Sequence, residues 1–167
     1  LTGNNSLVVV SGNTAWTCTI NEGATDWEIV WGDSTYSLNS VSFLDSENGL
    51  IAGESGLILA TNDGGETWDY RDAPGALSEV DIVDIEYFSS IRAYAISEDG
   101  HILKSSREGS LAVGFVWSIV EIEREYPAGG SNEWVKGGTE IDYDASSINV
   151  LFQSTIMLAA PNRYLSL

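Results

Sequence analysis

A unit of about 42 residues recurs along this chain, and that recurrence limits the fold more than any single residue does. LVVVSGNTAWTCTINEGATDW (7–27) aligns with GLIAGESGLILATNDGGETW (49–68), and AYAISEDGHILKSSREG (93–109) falls into the same register. Each copy reads as an apolar strand, a Gly-containing turn, a second strand ending in Thr or Ser, and a polar Gly turn. A Trp follows at 27, at 68 and, after an insertion, at 117. TIMLAAPNRYLSL (155–167) repeats the first half of the unit. The anchors Thr19, Thr61 and Ser105 stand 42 and 44 residues apart. Alternating segments at VSF (41–43), IEY (85–87) and INVLF (148–152) precede the later copies.

About four short strands per unit at this period is what a β-propeller blade requires. No stretch sustains helical periodicity. The expected fold is therefore all-β, a β-propeller whose blades carry about four antiparallel strands. Its expected extent is a partial ring of three to four blades, or a fragment of a larger propeller. The 167 residues read as one module, with blades at roughly 1–35, 36–78 and 79–123, an insertion at 124–145 and a half-blade at 146–167.

TNDGGETW (61–68) carries the local chemistry of the repeat. A strand ending at Thr61 must reverse within a few residues. Asp63 is suited to accept backbone N–H bonds in an Asx-type turn, with Thr61 assisting. Gly64 and Gly65 supply positive φ, and Trp68 covers the hairpin with a large ring. The structural set is Thr61, Asp63, Gly65, Thr67 and Trp68. Such a turn satisfies itself, so its carboxylate has work to do before any ligand arrives.

The pattern Ser/Thr-x-Asp-x-Gly-x-Thr-Trp resembles the Asp-box, or bacterial-neuraminidase repeat, at every defined position of 61–68. TINEGATDW is an eroded copy with Asn21 in the Asp place, and SSREG carries Arg107 there. The longer string VSFLDSENGLIAGESGLILATNDGGETW resembles blades of the photosystem II assembly-factor group. It is also similar to blades of sortilin-type receptors and of xyloglucan-cleaving glycoside hydrolases. The resemblance implies a propeller scaffold and leaves the activity open, because unrelated functions share these blades.

Charge narrows the partner classes. The chain has 25 Asp and Glu against 7 Lys and Arg, a net charge of −18. Nucleic-acid affinity comes from basic groups neutralising phosphates, so that class is excluded, as is an anionic membrane surface. No apolar run reaches the roughly 18 residues that cross a bilayer, so no membrane insertion is expected. Few lysines and many carboxylates point to a saline, extracellular, cell-surface or virion setting, where salt screens self-repulsion. Cys18 stands alone, in an alternating strand, and reads as a buried small hydrophobe.

For chemistry, the sequence offers little. The five arginines do not group into the carboxylate-binding triad that sialidase activity needs, and no carboxylate pair stands in apolar surroundings that would set up glycoside hydrolysis. His101 is the single histidine, which removes His-based triads and multi-histidine metal sites. No catalytic residue and no metal ligand is assigned. No cofactor is expected except calcium, for which DSENG (45–49) and DYDAS (142–146) supply alternate acidic oxygens.

The Gly-rich insertion is the candidate contact surface, through Tyr126, Trp134 and Tyr143, since loops on a rigid scaffold and exposed aromatics favour recognition. The reading is thus a non-catalytic module for protein or glycan recognition and assembly, with other chains completing the ring. The alternative is a fragment of a sialidase-like or xyloglucanase-like hydrolase whose catalytic groups lie outside the segment.

Overall fold

The computed structural model describes residues 6–19, 26–71, 73–107, 115–120, 125–127, 134–136, 147–151, 155–160 and 163–166, the last five stretches as backbone only. The first sheet has three antiparallel strands in the order β1 (Ser6–Ser11), β2 (Thr14–Thr19), β3 (Trp27–Gly32). The second has four, β4 (Leu38–Phe43), β5 (Gly49–Gly53), β6 (Ile58–Thr61) and β7 (Asp69–Arg71), each paired with its sequence neighbour. A short 3-10 turn at Gly75–Leu77 leads to the third sheet, β8 (Ile82–Ser89), β9 (Arg92–Ser97), β10 (Ile102–Arg107) and β11 (Phe115–Ile119). A two-stranded ribbon, β12 (Glu125–Pro127) and β13 (Trp134–Lys136), precedes a three-stranded sheet of β14 (Ser147–Leu151), β15 (Thr155–Ala160) and β16 (Arg163–Ser166). The architecture is all-β, a succession of meander sheets forming part of a propeller.

The sheets stack face to face, and the stacking explains the sequence pattern. β5 (GLIAG) is buried along its whole length because both its faces are covered. A strand in that position reads as a continuous apolar run instead of alternating. Between the first and second sheets, Val8, Val10 and Ala15 pack against Ile51, Leu59 and Trp68. Between the second and third, Leu50, Ala52, Ile58 and Ala60 pack against Ile85, Ala93, Ala95, Leu103 and Trp117. At both of these junctions the forward face of one sheet covers the backward face of the next. Burial of this kind, at about 25 cal/mol per Å² of apolar surface, is the main stabilising term.

Polar bonds fix the register of one blade on the next. Ser42 Oγ accepts the Tyr87 N–H at 3.0 Å, Asn39 Nδ2 donates to the Ile82 carbonyl at 3.0 Å, and the Ser40 hydroxyl donates to Asp84. Beside the Asn39–Ile82 bond, at the β5–β6 turn, Gly56 N–H donates to the Val80 carbonyl at 2.8 Å and Ser55 N–H to Asp81 Oδ1 at 2.9 Å. Gly56 has φ +70°, and a Cβ there would sit 2.4 Å from the Leu77 carbonyl oxygen. The β5–β6 turn therefore approaches the segment that links the second and third sheets too closely for any side chain.

The strand registers correct one element of the sequence repeat. Gly49 pairs with Thr61, while Leu7 pairs with Cys18, not Thr19. The first hairpin closes on a two-residue turn, Gly12–Asn13, and so runs one residue shorter. Cys18 thus occupies the anchor position. It lies opposite Trp27, as Ser105 lies opposite Trp117. In the second sheet the register Ala60 to Asp69, continued by one residue, sets Trp68 opposite Thr61. All three anchors are buried.

Candidate functional site

Residues 61–68 form a closed hydrogen-bonded turn. Thr61 Oγ1 donates to Asp63 Oδ1 at 2.7 Å and accepts the Gly65 N–H at 3.0 Å. Asp63 Oδ1 accepts the Thr67 N–H at 3.0 Å, and Asp63 Oδ2 accepts the Thr67 hydroxyl. Bonds from the Thr61 hydroxyl first, then from the Thr67 hydroxyl and amide, hold the Asp63 carboxyl down at about 2. Gly64 and Gly65 take φ of +79° and +94°. A Cβ on Gly65 would meet Val8 of the first sheet at 3.3 Å, so this turn is also part of the blade junction.

Trp68 Nε1 donates to the Gly65 carbonyl at 3.1 Å, and its ring meets Phe43 edge-on with centroids 6.0 Å apart. The five sequence-designated residues Thr61, Asp63, Gly65, Thr67 and Trp68 come together, and each polar group is occupied by another member of the set or by local backbone. This arrangement can hold a hairpin and a blade junction. It offers no open carboxylate for acid–base chemistry.

The adjoining loop behaves in the same way. Asp45 Oδ1 accepts the backbone N–H groups of Glu47 and Asn48 at 2.9 and 2.8 Å, and these bonds lower its carboxyl below the usual range. In DSENG the first acidic oxygen is thus engaged in the turn, and among the described residues no group of three or more His, Cys, Asp or Glu is placed to hold a metal ion. The second calcium candidate, 142–146, lies outside the described residues.

Sequence reasoning missed a second self-satisfied turn at Ser97–His101. Ser97 Oγ donates to Asp99 and accepts the His101 N–H at 3.0 Å, and His101 Nδ1 lies 2.8 Å from Asp99 Oδ1. Burial pushes the Asp99 carboxyl up, but the Ser97 hydroxyl and His101 outweigh it and the net direction is down. The spacing Ser-x-Asp-Gly-His was the available clue.

Of the candidate contact residues, Tyr126 lies on β12 and Trp134 on β13. The register sets Tyr126 opposite Val135 and Trp134 opposite Pro127, so the two are not a direct cross-strand pair. Tyr143 lies outside the described residues. No described helix is long and apolar enough to cross a membrane.

The family model described as "Photosynthesis system II assembly factor YCF48" matches residues 19–132. A curated "Photosystem II assembly lipoprotein Ycf48" from Prochlorococcus marinus strain NATL2A is 36% identical over 72 residues, 41% of this chain and 21% of that protein. Its counterpart from strain MIT 9312 is 33% identical over 63 residues, covering 36% and 18% respectively. The matched segments thus span about a fifth of each relative's length.

Among solved structures, "YCF48 bound to D1 peptide" superposes with a TM-score of 0.48 at 18% identity, over 100% of this chain and 73% of that one. "YCF48 from Cyanidioschyzon merolae" gives 0.44 at 14% identity, over 96% and 66%.

These relatives overturn the extracellular, cell-surface or virion setting expected from the charge balance, because they are photosystem II assembly lipoproteins of Prochlorococcus marinus. The physical reason for the error is simple. Net charge governs solubility and association and carries no address. One family model matching two-thirds of the chain settles kinship: this chain belongs to the YCF48 family of photosystem II assembly factors.

Proposed function

We propose that the chain is a non-catalytic assembly module that holds a protein of photosystem II during its construction. The observation that carries this reading is the family match across 19–132, which takes in most of the first three sheets. The site geometry supports it. Asp63 is engaged by Thr61 and Thr67, so the most distinctive carboxylate of the chain serves the scaffold. A rigid scaffold with an appended ribbon suits partner recognition. Tyr126 and Trp134 on that ribbon, with Tyr143 beyond it, are our choice of contact residues, as aromatics concentrate binding energy at interfaces. No observation favours the glycan partner or the hydrolase alternative.

The test is direct binding. Purified photosystem II, and its subunits one at a time, are passed over the immobilised chain. The expected result is saturable binding that Trp134→Ala weakens about tenfold. No saturable binding to any of these proteins would sink the reading. Binding indifferent to substitution of Tyr126, Trp134 and Tyr143 would move the contact surface elsewhere on the scaffold.

A further inference from the structure

The junction between the first and second sheets differs from the next one at its outer edge. In the first sheet the row Val10–Ala15–Trp31 faces the second sheet, and the row Ile51–Leu59–Tyr70 faces back toward it. The inner members of both rows share one core, in which Ile51 and Leu59 are fully buried. At the outer strands the packing gives out. Trp31 is half-buried and Tyr70 is 56% exposed. Tyr36, on the linker from β3 to β4, packs half-buried against the same core. At the second junction, counting from the anchors, Arg71 and Ile119 stand in the places of Trp31 and Tyr70, and Ile119 is packed against its core. An aromatic outer edge is therefore a property of this junction and not a demand of the blade.

A carboxylate stands at the same edge. The Tyr70 hydroxyl donates to Asp33 Oδ2 across a long 3.4 Å, while Asp33 Oδ1 accepts the Thr35 N–H at 2.6 Å. Thr35, first through its amide and then through its hydroxyl, holds the Asp33 carboxyl below its usual range, so it is anionic at neutral pH. Burial first, then Asp33, and last Tyr36 push the Tyr70 phenol up, which places both tyrosines beside the carboxylate. Among the described residues no Lys, Arg or His forms an ion pair with Asp33. Arg71, next along β7, pairs with Ile58 on the other face of the sheet and lies 3.6 Å from Asp69.

We propose that this edge, with Trp31, Tyr36 and Tyr70 around Asp33, binds a basic side chain, arginine best, carried on an extended segment of a partner protein. Aromatic faces attract a cation, and arginine stacks on them while its planar fork matches a carboxylate. The weakly held Asp33 Oδ2 is the acceptor for a charge-assisted bond. An acidic segment would meet like charge at Asp33, and an apolar one would desolvate it without a partner. The net charge of −18 draws a basic segment toward the chain before contact. The site is separate from the ribbon that carries Tyr126 and Trp134, and it stands whether or not the partner belongs to photosystem II.

The experiment takes the 167-residue chain with no photosystem protein present and titrates it into a fluorescein-labelled Gly-Arg-Gly-Arg-Gly peptide. Fluorescence anisotropy is followed at about 0.15 M salt, which screens general attraction, with Gly-Glu-Gly-Glu-Gly as the control. The expected result is saturable binding of the arginine peptide alone. Tyr70→Ala, at an exposed residue, should weaken it about tenfold with an unchanged circular dichroism spectrum, and Asp33→Asn should weaken it too. Glu47→Gln removes an exposed carboxylate from the β4–β5 turn and should leave binding as it was. No saturable binding of the arginine peptide overturns the proposal. So does binding indifferent to Tyr70→Ala and Asp33→Asn, or an equal loss with Glu47→Gln, which would mean attraction to an acidic surface at large.

Discussion

The anchor positions of the second and third sheets hold a buried hydroxyl in the same register and use it in different ways. Thr61 turns its hydroxyl forward, to Asp63 and to the Gly65 N–H, and so organises the turn that follows. Ser105 turns its hydroxyl back across the pair, accepting the Ala93 N–H at 2.6 Å and donating to the Ala93 carbonyl at 3.2 Å. The difference traces to the residue two places on, Asp63 in one sheet and Arg107 in the other. A buried hydroxyl must find partners, and leaving it unpaired costs about 1–3 kcal/mol. With a carboxylate nearby it builds the box; without one it bonds to the backbone of its neighbouring strand. The box is therefore one solution to a burial problem that the blade poses at this position.

The tryptophan opposite each anchor supplies the largest expected effect. Trp68→Ala and Trp117→Ala should each destabilise the fold by about 3–5 kcal/mol, as large buried rings do on truncation. Trp27→Ala, at a ring that is 49% exposed, should cost about 1 kcal/mol or less in dilute solution. Urea unfolding of the three variants measures this directly. A loss at Trp27 matching the other two would break the comparison and mean that the first sheet is covered on both faces.

The anchors themselves come next. Thr61→Val removes the hydroxyl that serves both Asp63 and Gly65, and should cost about 1–3 kcal/mol. Ser105→Ala leaves Ala93 N–H without its side-chain partner and should fall in the lower half of that range. Cys18→Thr installs the hydroxyl at the first anchor, which is 1% exposed. If forward turns form whenever a hydroxyl is present, it should be neutral. If a carboxylate two places on is required, it should be destabilising, because Ile20 stands there.

How much of this was legible in the residues divides along physical lines. The blade period, the meander order and the box turn all come from local patterning, and TNDGGETW specifies its own hydrogen bonds within eight residues. The anchor of the first copy was not legible. In AWTCT, Thr17 and Thr19 flank Cys18, and only the length of the preceding turn decides which faces Leu7. The tryptophans at 27, 68 and 117 were the better rulers, since a cross-strand partner is fixed by pairing and not by spacing along one strand. The exposure of Trp27 and Ile29 was also hidden, because these residues look no different in sequence from buried neighbours. Burial there depends on a second sheet, and no local pattern records whether one is present. The cellular setting was misjudged from charge alone, a global quantity with no site attached.

The smallest effect is the most specific to the box. Asp63 has a folded-state value of about 2 against roughly 3.9 in an unfolded chain. A carboxyl lowered on folding stabilises the native state above its unfolded value, and that contribution fades as pH falls through the folded one. The loss therefore lies between about pH 4 and pH 2. Asp45 and Asp33 are also lowered, by backbone N–H bonds in their own turns, so the wild-type protein loses stability to acid from several places. Asp63→Asn isolates one of them. It keeps a side-chain oxygen for the Thr67 amide and removes the titration, and should cost about 1 kcal/mol at neutral pH. The gap between the two proteins, followed by urea unfolding from pH 6 downward, should narrow below about pH 4 and close near pH 2. A gap that stays constant with pH would mean that the box needs the shape of this side chain and not its charge, and the contrast with Arg107 would then rest on size alone.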